Sequence, residues 1–216
     1  MDYSNVNQHP SYKMRVISVE GKSKFEVTPD FAELQIEVVT SSEDLTEAQR
    51  ENAERMNQVI SALLALNIDR NDIQTAFFNV SPRYDYVEGK QVFRGYEVTN
   101  AITVKIEEIN EVGMVIDTAI KNGANRISQL EFKLENDALY YQKALQLALQ
   151  NAHEKANAIT SSLRLSYMPV PIEITEETSG GPILLKSVAM TQSTFETPIE
   201  QGTITVEATL KVKYQF

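Results

Sequence analysis

The chain has 216 residues, 30 acidic against 20 basic, for a formal net charge of −10, and it contains no cysteine. That excludes a disulfide framework, a thiolate metal site and a thiol nucleophile, and it makes the average surface repel phosphate backbones and anionic membranes. Hydrophobic residues make up 42%, enough for a sizeable core.

The start, MDYSNVNQHPSYKM, is polar. Residues 1–13 are read as a flexible tail and 14–216 as a single domain. The start lacks the basic end and apolar run of a secretion signal, so a cytoplasmic protein is expected; an exported or envelope protein is the alternative if the chain was trimmed. No apolar run reaches the roughly 18 residues of a membrane-spanning helix.

Residues 14–20 and 31–39 read as strands, the second with Ala32, Leu34, Ile36 and Val38 alternating against Glu33, Gln35 and Glu37. Pro29 and Asp30 precede it as a turn, with the aspartate expected to bond locally to the backbone. A helix follows over about 43–66, with Leu45, Ala48, Asn52, Met56, Val59, Leu63 and Leu66 on one side and Ser41 or Ser42 as its cap. Residues 72–106 predict two long strands turning at Glu88, Gly89 and Lys90. Tyr84, Tyr86 and Tyr96 on this hairpin serve either cross-strand pairing or a binding platform. A short helix over about 110–122 stops at Gly123, and RISQLEFKL is again an alternating strand. The longest helix, about 137–163, carries Ala138, Tyr141, Leu145, Ala148, Ala152, Ala156, Ile159 and Leu163 as its inward stripe. MPVPIEITEE reads as an edge strand, and the weakly patterned 177–202 follows it. TITVEATLKVKYQF closes the chain as the clearest alternating strand. The fold class is α+β: a mostly antiparallel mixed sheet, three helices on one face, and a long loop before the C-terminal strand.

No residue is assigned to catalysis, a cofactor or a metal. The two histidines, His9 and His153, do not converge. The adjacent acids Glu107 with Glu108, and Glu176 with Glu177, read as solvated, and neither GANRI nor SGGP has the spacing or lysine of a phosphate loop. Apolar residues within 182–199 suggest a subunit contact through Leu184, Leu185 and Phe195, or else a loop folded onto its own core. No nucleic-acid partner is expected.

VEGKSKFEVTPDFAELQIEVVT, FRGYEVTNAITVKIEEINEVGMVIDTAIKNGANRISQLEFKL, ALQLALQNAHEKANAI and VAMTQSTFETPIEQGTITVEATLKVKYQF together resemble the SIMPL-domain family, whose bacterial members include periplasmic immunogenic and oxidative-stress-defence proteins. The resemblance runs from about Val16 to Phe216. It rests on Pro29-Asp30, Gly95-Tyr96, Gly123-Ala124-Asn125, Phe132, the spaced alanines with Lys155-Ala156, and Pro198 before Gly202. Ser23, at a position where the family often has glycine, and LRLSYMPVP, which lacks one after the long helix, depart from it. The resemblance implies an α+β fold, a homo-oligomer and no established catalytic residue. The function it suggests is a non-enzymatic, self-assembling protein of stress defence or the cell envelope. A binding module for a small apolar or lipid-like ligand, or a hydrolase using buried carboxylates, are the alternatives.

Overall fold

In the computed structural model, residues 15–165, 168–177 and 197–216 and the backbone of 183–185 are described. The chain packs as two units. The first takes 1–26, 136–183 and 205–216; the second takes 27–135 and 184–204.

The second unit is built on β2 (Phe31–Ser42), which lies between β4 (Lys90–Ile106) and β5 (Arg126–Lys133) and is antiparallel to both; β3 (Ile73–Val87) pairs with the outer side of β4. Strand pleating sends Ala32, Leu34, Ile36 and Val38 to one side, as the alternation requires. There they meet Met56, Val59 and Leu63 of α1 (Leu45–Ala65) and Val112, Val115 and Ile116 of α2 (Val112–Lys121). The buried row of α1 is Ala48, Asn52, Met56, Val59 and Leu63, the middle of the predicted stripe, while its two ends, Leu45 and Leu66, are only half-buried.

The cap of α1 differs from the expectation. Asp44 accepts from the amides of Thr46 (2.7 Å) and Glu47 (3.2 Å), while Ser42 accepts from the amide of Asp44 (3.2 Å) and so supports the cap from outside. A carboxylate suits this end because the free amides there carry partial positive charge. Asn52, buried among apolar neighbours, donates to the carbonyls of Val38 (2.8 Å) and Val98 (3.1 Å) and so links α1 to two strands. The β3–β4 turn is at the predicted place: Glu88 (φ +50°) and Gly89 (φ +77°) are its two central residues, the paired left-handed conformations that a two-residue hairpin requires.

The first unit holds a second sheet in the order β1 (Val16–Val27), β8 (Thr203–Gln215), β6 (Val170–Glu177). The short β7 (Ile183–Leu185) also pairs with β8. The strands thus form two sheets rather than one, because β1 and β8, from opposite ends of the chain, pair with each other; the amide of Phe216 donates to the carbonyl of Arg15 at 3.2 Å. β8 turns Ile204, Val206, Ala208, Leu210, Val212 and Tyr214 inward, as its alternation predicts. Burial pushes the Tyr214 phenol above its ordinary pKa.

One helix, α3 (Asp137–Ser162), covers this sheet. Its buried row is Ala144, Ala148, Ala152, Ala156 and Thr160, whereas Ala138, Ile159 and Leu163 of the predicted stripe are exposed and Tyr141 and Leu145 only half-buried. The correction has a steric cause. A Cβ built on Gly21 of β1 would lie 2.0 Å from the carbonyl oxygen of Ala148 and 2.8 Å from the Cβ of Ala152. Backbone meets backbone here, so the row of small side chains spaced every four residues makes the contact and the larger residues are turned aside.

Candidate functional site

The side of the second unit's sheet away from α1 and α2 is polar, because the residues alternating with the core row are Glu33, Gln35 and Glu37. The register sets Glu33 beside Lys105 and Glu131, and Gln35 beside Thr103 and Gln129. At one end is a groove of about 260 Å³ whose lining includes Phe31, Glu33, Asp72, Thr103, Lys105 and Glu135. Lys105 Nζ lies 2.8 Å from a Glu135 oxygen and 4.8 Å from the centre of the Phe31 ring. Lys133 Nζ reaches Glu33 at 2.6 Å and Glu131 at 3.2 Å.

These contacts decide the protonation states. The bond to Glu135 holds Lys105 above the usual lysine range, and the bond to Glu33 does the same for Lys133. The Gln129 amide, then Lys133, holds Glu131 below the usual carboxylate range. A nucleophilic amine or a carboxylic acid poised near neutrality would need the opposite shifts. The network therefore ties neighbouring strands together with partly exposed ion pairs, whose attraction is weakened by solvent screening. Glu37 is the buried carboxylate of this face, 3% exposed, and it accepts from Arg126 Nη1 and Gln35 Nε2, each at 3.2 Å.

The residues that carry the family resemblance have structural tasks. Asp30 bonds not locally but across the sheet, accepting from the amide of Glu135 at 2.9 Å, while its own amide donates to the carbonyl of Lys133 at 2.9 Å. It therefore joins the start of β2 to the end of β5. Gly123, at φ +114°, ends α2, and two residues on the Asn125 side chain accepts from the amide of Val39 (2.8 Å) and donates to its carbonyl (2.7 Å). The amide thus acts as one more rung beside β2. Asn125→Ala is expected to destabilise the protein by about 2 kcal/mol, two net hydrogen bonds at about 1 kcal/mol each; a denaturant midpoint equal to the parent's would refute the assignment. Lys155 Nζ donates to the carbonyl of Glu20 at 2.7 Å, and Phe132 packs on the core of the second unit. Ser23, the departure from the family pattern, donates its hydroxyl to the carbonyl of Ala144 at 2.7 Å, so it extends the same helix-to-strand contact that Gly21 opens.

The other candidates separate in space. His153 is exposed on α3, its ring 5.9 Å from that of Tyr214. Glu107 is exposed and ion-paired to Lys105 at 3.6 Å, and Glu176 accepts from the Tyr141 hydroxyl. Among the described residues no group of three or more His, Cys, Asp or Glu is arranged to hold a metal ion. His9, SGGP, Phe195 and the side chains of Leu184 and Leu185 lie outside the described residues.

Fold and polar face together define an α+β protein whose distinguishing residues shape its two units. The chain belongs to the SIMPL family, described as a protein of unknown function (DUF541), whose profile matches residues 17–214. Among curated proteins it is similar to the uncharacterized protein YggE of Escherichia coli (strain K12), 29% identical over 154 residues, which cover 71% of this chain and 63% of that protein. The chain thus spans less than two thirds of this relative. It is also similar to the 26 kDa periplasmic immunogenic protein of Brucella melitensis, 28% identical over 179 residues, covering 81% of this chain and 71% of that protein. The Brucella name overturns the expectation of a cytoplasmic protein. That expectation rested on the first residues of the chain, and a leader removed on export leaves no trace in the remaining sequence.

Proposed function

We propose that this chain is a non-enzymatic, self-assembling protein of the bacterial cell envelope, and that copies associate through the first unit. One observation carries the reading: the division of charge between the units, the neutral one of which bears an exposed apolar patch. By sequence the first unit holds nine acidic and nine basic residues and the second 21 and 11, so the second bears the whole net charge of −10. The neutral unit also exposes Leu149, Leu163, Met168, Val170, Ile172 and Ile174 along α3, β6 and the segment before it. Apolar surface of this extent on an electroneutral body favours association, whereas the charge of −10 opposes it where the ionised side chains of the second unit lie. Export agrees with the periplasmic name of the Brucella relatives. The absence of catalysis is supported by the structural tasks of the family's marker residues.

Light scattering of the whole chain is expected to give a multiple of 24.3 kDa. Leu163→Ser with Ile174→Ser should lower that mass while leaving the melting temperature within about 2 °C, since exposed positions change stability little. A 24.3 kDa particle at every concentration would refute the proposal.

A further inference from the structure

Beyond the last β2–β4 pair, Ser42 with Tyr96, the β3–β4 hairpin continues as a ribbon of two strands to its turn at Glu88 and Gly89. A free two-stranded ribbon is marginal in water. This one is sorted by face. The pairing Tyr84 with Phe93 and Tyr86 with Gln91 puts these four residues on one side, and the register shift at Gly95 brings Tyr96 to the same side, its ring 5.3 Å from that of Phe93. Tyr84 and Phe93 meet edge to face at 5.7 Å. The opposite side takes the charges, with Arg94 bonded to Asp85 at 2.8 Å. Exposure on the aromatic side is high: Tyr84 46%, Tyr86 77%, Phe93 45%.

We infer that this aromatic face is a second self-association surface, stacking on the same face of another copy. The choice of occupant follows from charge. The face carries no ionised side chain, so two copies can close on it without opposing like charges, although the unit to which it belongs is strongly acidic. Its tip, Glu88-Gly89-Lys90, is charged, which disfavours insertion into a lipid layer. The interlocked rings are already ordered, so contact immobilises little. Two such ribbons face to face make a small sandwich of sheets. Aromatic side chains bury about 150–250 Å² each, so three half-exposed rings offer on the order of 300 Å² per copy, below the roughly 800 Å² per partner of a stable interface. The stack therefore works within an assembly already held through the first unit, and in this respect it rests on the self-assembly proposed above. Two different self-contacts per chain extend an assembly beyond a pair.

The test is the mass of the whole chain carrying Tyr86→Lys, Tyr86→Glu or, on the opposite face, Val92→Lys. Either Tyr86 variant alone is expected to reduce the mass by half or more, mixing the two is expected to restore it, and Val92→Lys is expected to leave it unchanged. An oligomeric parent whose mass survives Tyr86→Lys would overturn the stacking inference alone, whereas a monomeric parent would overturn the self-assembly on which it rests. Co-sedimentation with phosphatidylglycerol vesicles, abolished by Tyr86→Glu, would overturn it in favour of a lipid surface.

Discussion

Gly95→Ala is expected to destabilise the protein by about 3–4 kcal/mol. The residue sits at φ +111°, a region closed to other side chains, and an added Cβ would lie 2.4 Å from the carbonyl oxygen of Ser42 and 2.8 Å from its carbonyl carbon. Conformational strain alone costs on the order of 1–3 kcal/mol. The clash is with backbone, which cannot rotate away, so the turn leading from β2 into α1 would have to move. Gly89→Ala provides the comparison. Its φ of +77° is also positive, but nothing lies within 4 Å of the added carbon, so it should cost only about 1 kcal/mol. Urea denaturation of the two variants against the parent decides the matter, and equal costs would show that the contact with Ser42 is unimportant.

Gly21→Ala should cost about 3 kcal/mol by a different route. Here φ is ordinary and the penalty comes from packing: the new methyl meets the carbonyl oxygen of Ala148 at 2.0 Å, so α3 must retreat from β1. Retreat would loosen the row from Ala144 to Thr160 and stretch the bonds from Ser23 to Ala144 (2.7 Å) and from Lys155 to Glu20 (2.7 Å). A loss of this size corresponds to roughly 6–12 °C in melting temperature for a chain of this length. Hydrogen exchange distinguishes this from a general weakening, because protection should fall along α3 and hold in α1 and α2. Uniform loss in all three helices, or none, would contradict the close-approach argument.

The two glycines differ in how legible they are. The turn at Gly89 is visible from local residues, because a two-residue hairpin between alternating strands needs left-handed conformations and the chain supplies glycine for one of them. Gly95 and Gly21 lie within strands and show their purpose only when the touching segment is known. Asp30 and Asn125 are alike in this. Each has a plain local reading, as turn or helix stop, yet their side chains bond to Glu135 and Val39, 105 and 86 residues away. The aromatic ribbon face was half visible: Tyr84, Tyr86 and Tyr96 could be placed on the hairpin, whereas the pairing of Phe93 with Tyr84, and the register shift at Gly95 that brings Tyr96 to their side, appear only in the fold.

Sequence alone determined what one residue and its near neighbours can settle: the α+β class, the alternating faces of β2 and β8, most of the buried row of α1, and the absence of any thiol chemistry. Tertiary structure decided everything that depends on which segments meet. Pairing of the chain ends made two sheets from what the pattern reads as one, since a period of two shows which side of a strand is apolar but not which strand lies beside it. The inward row of α3 was decided in the same way: its alanines and its larger apolar residues fit several helical stripes equally well, and the bare backbone of Gly21 selected the row that could come closest. The separation of a neutral unit from an acidic one was likewise hidden, because segments from three parts of the chain compose the first unit, and their charges balance only when those parts are brought together.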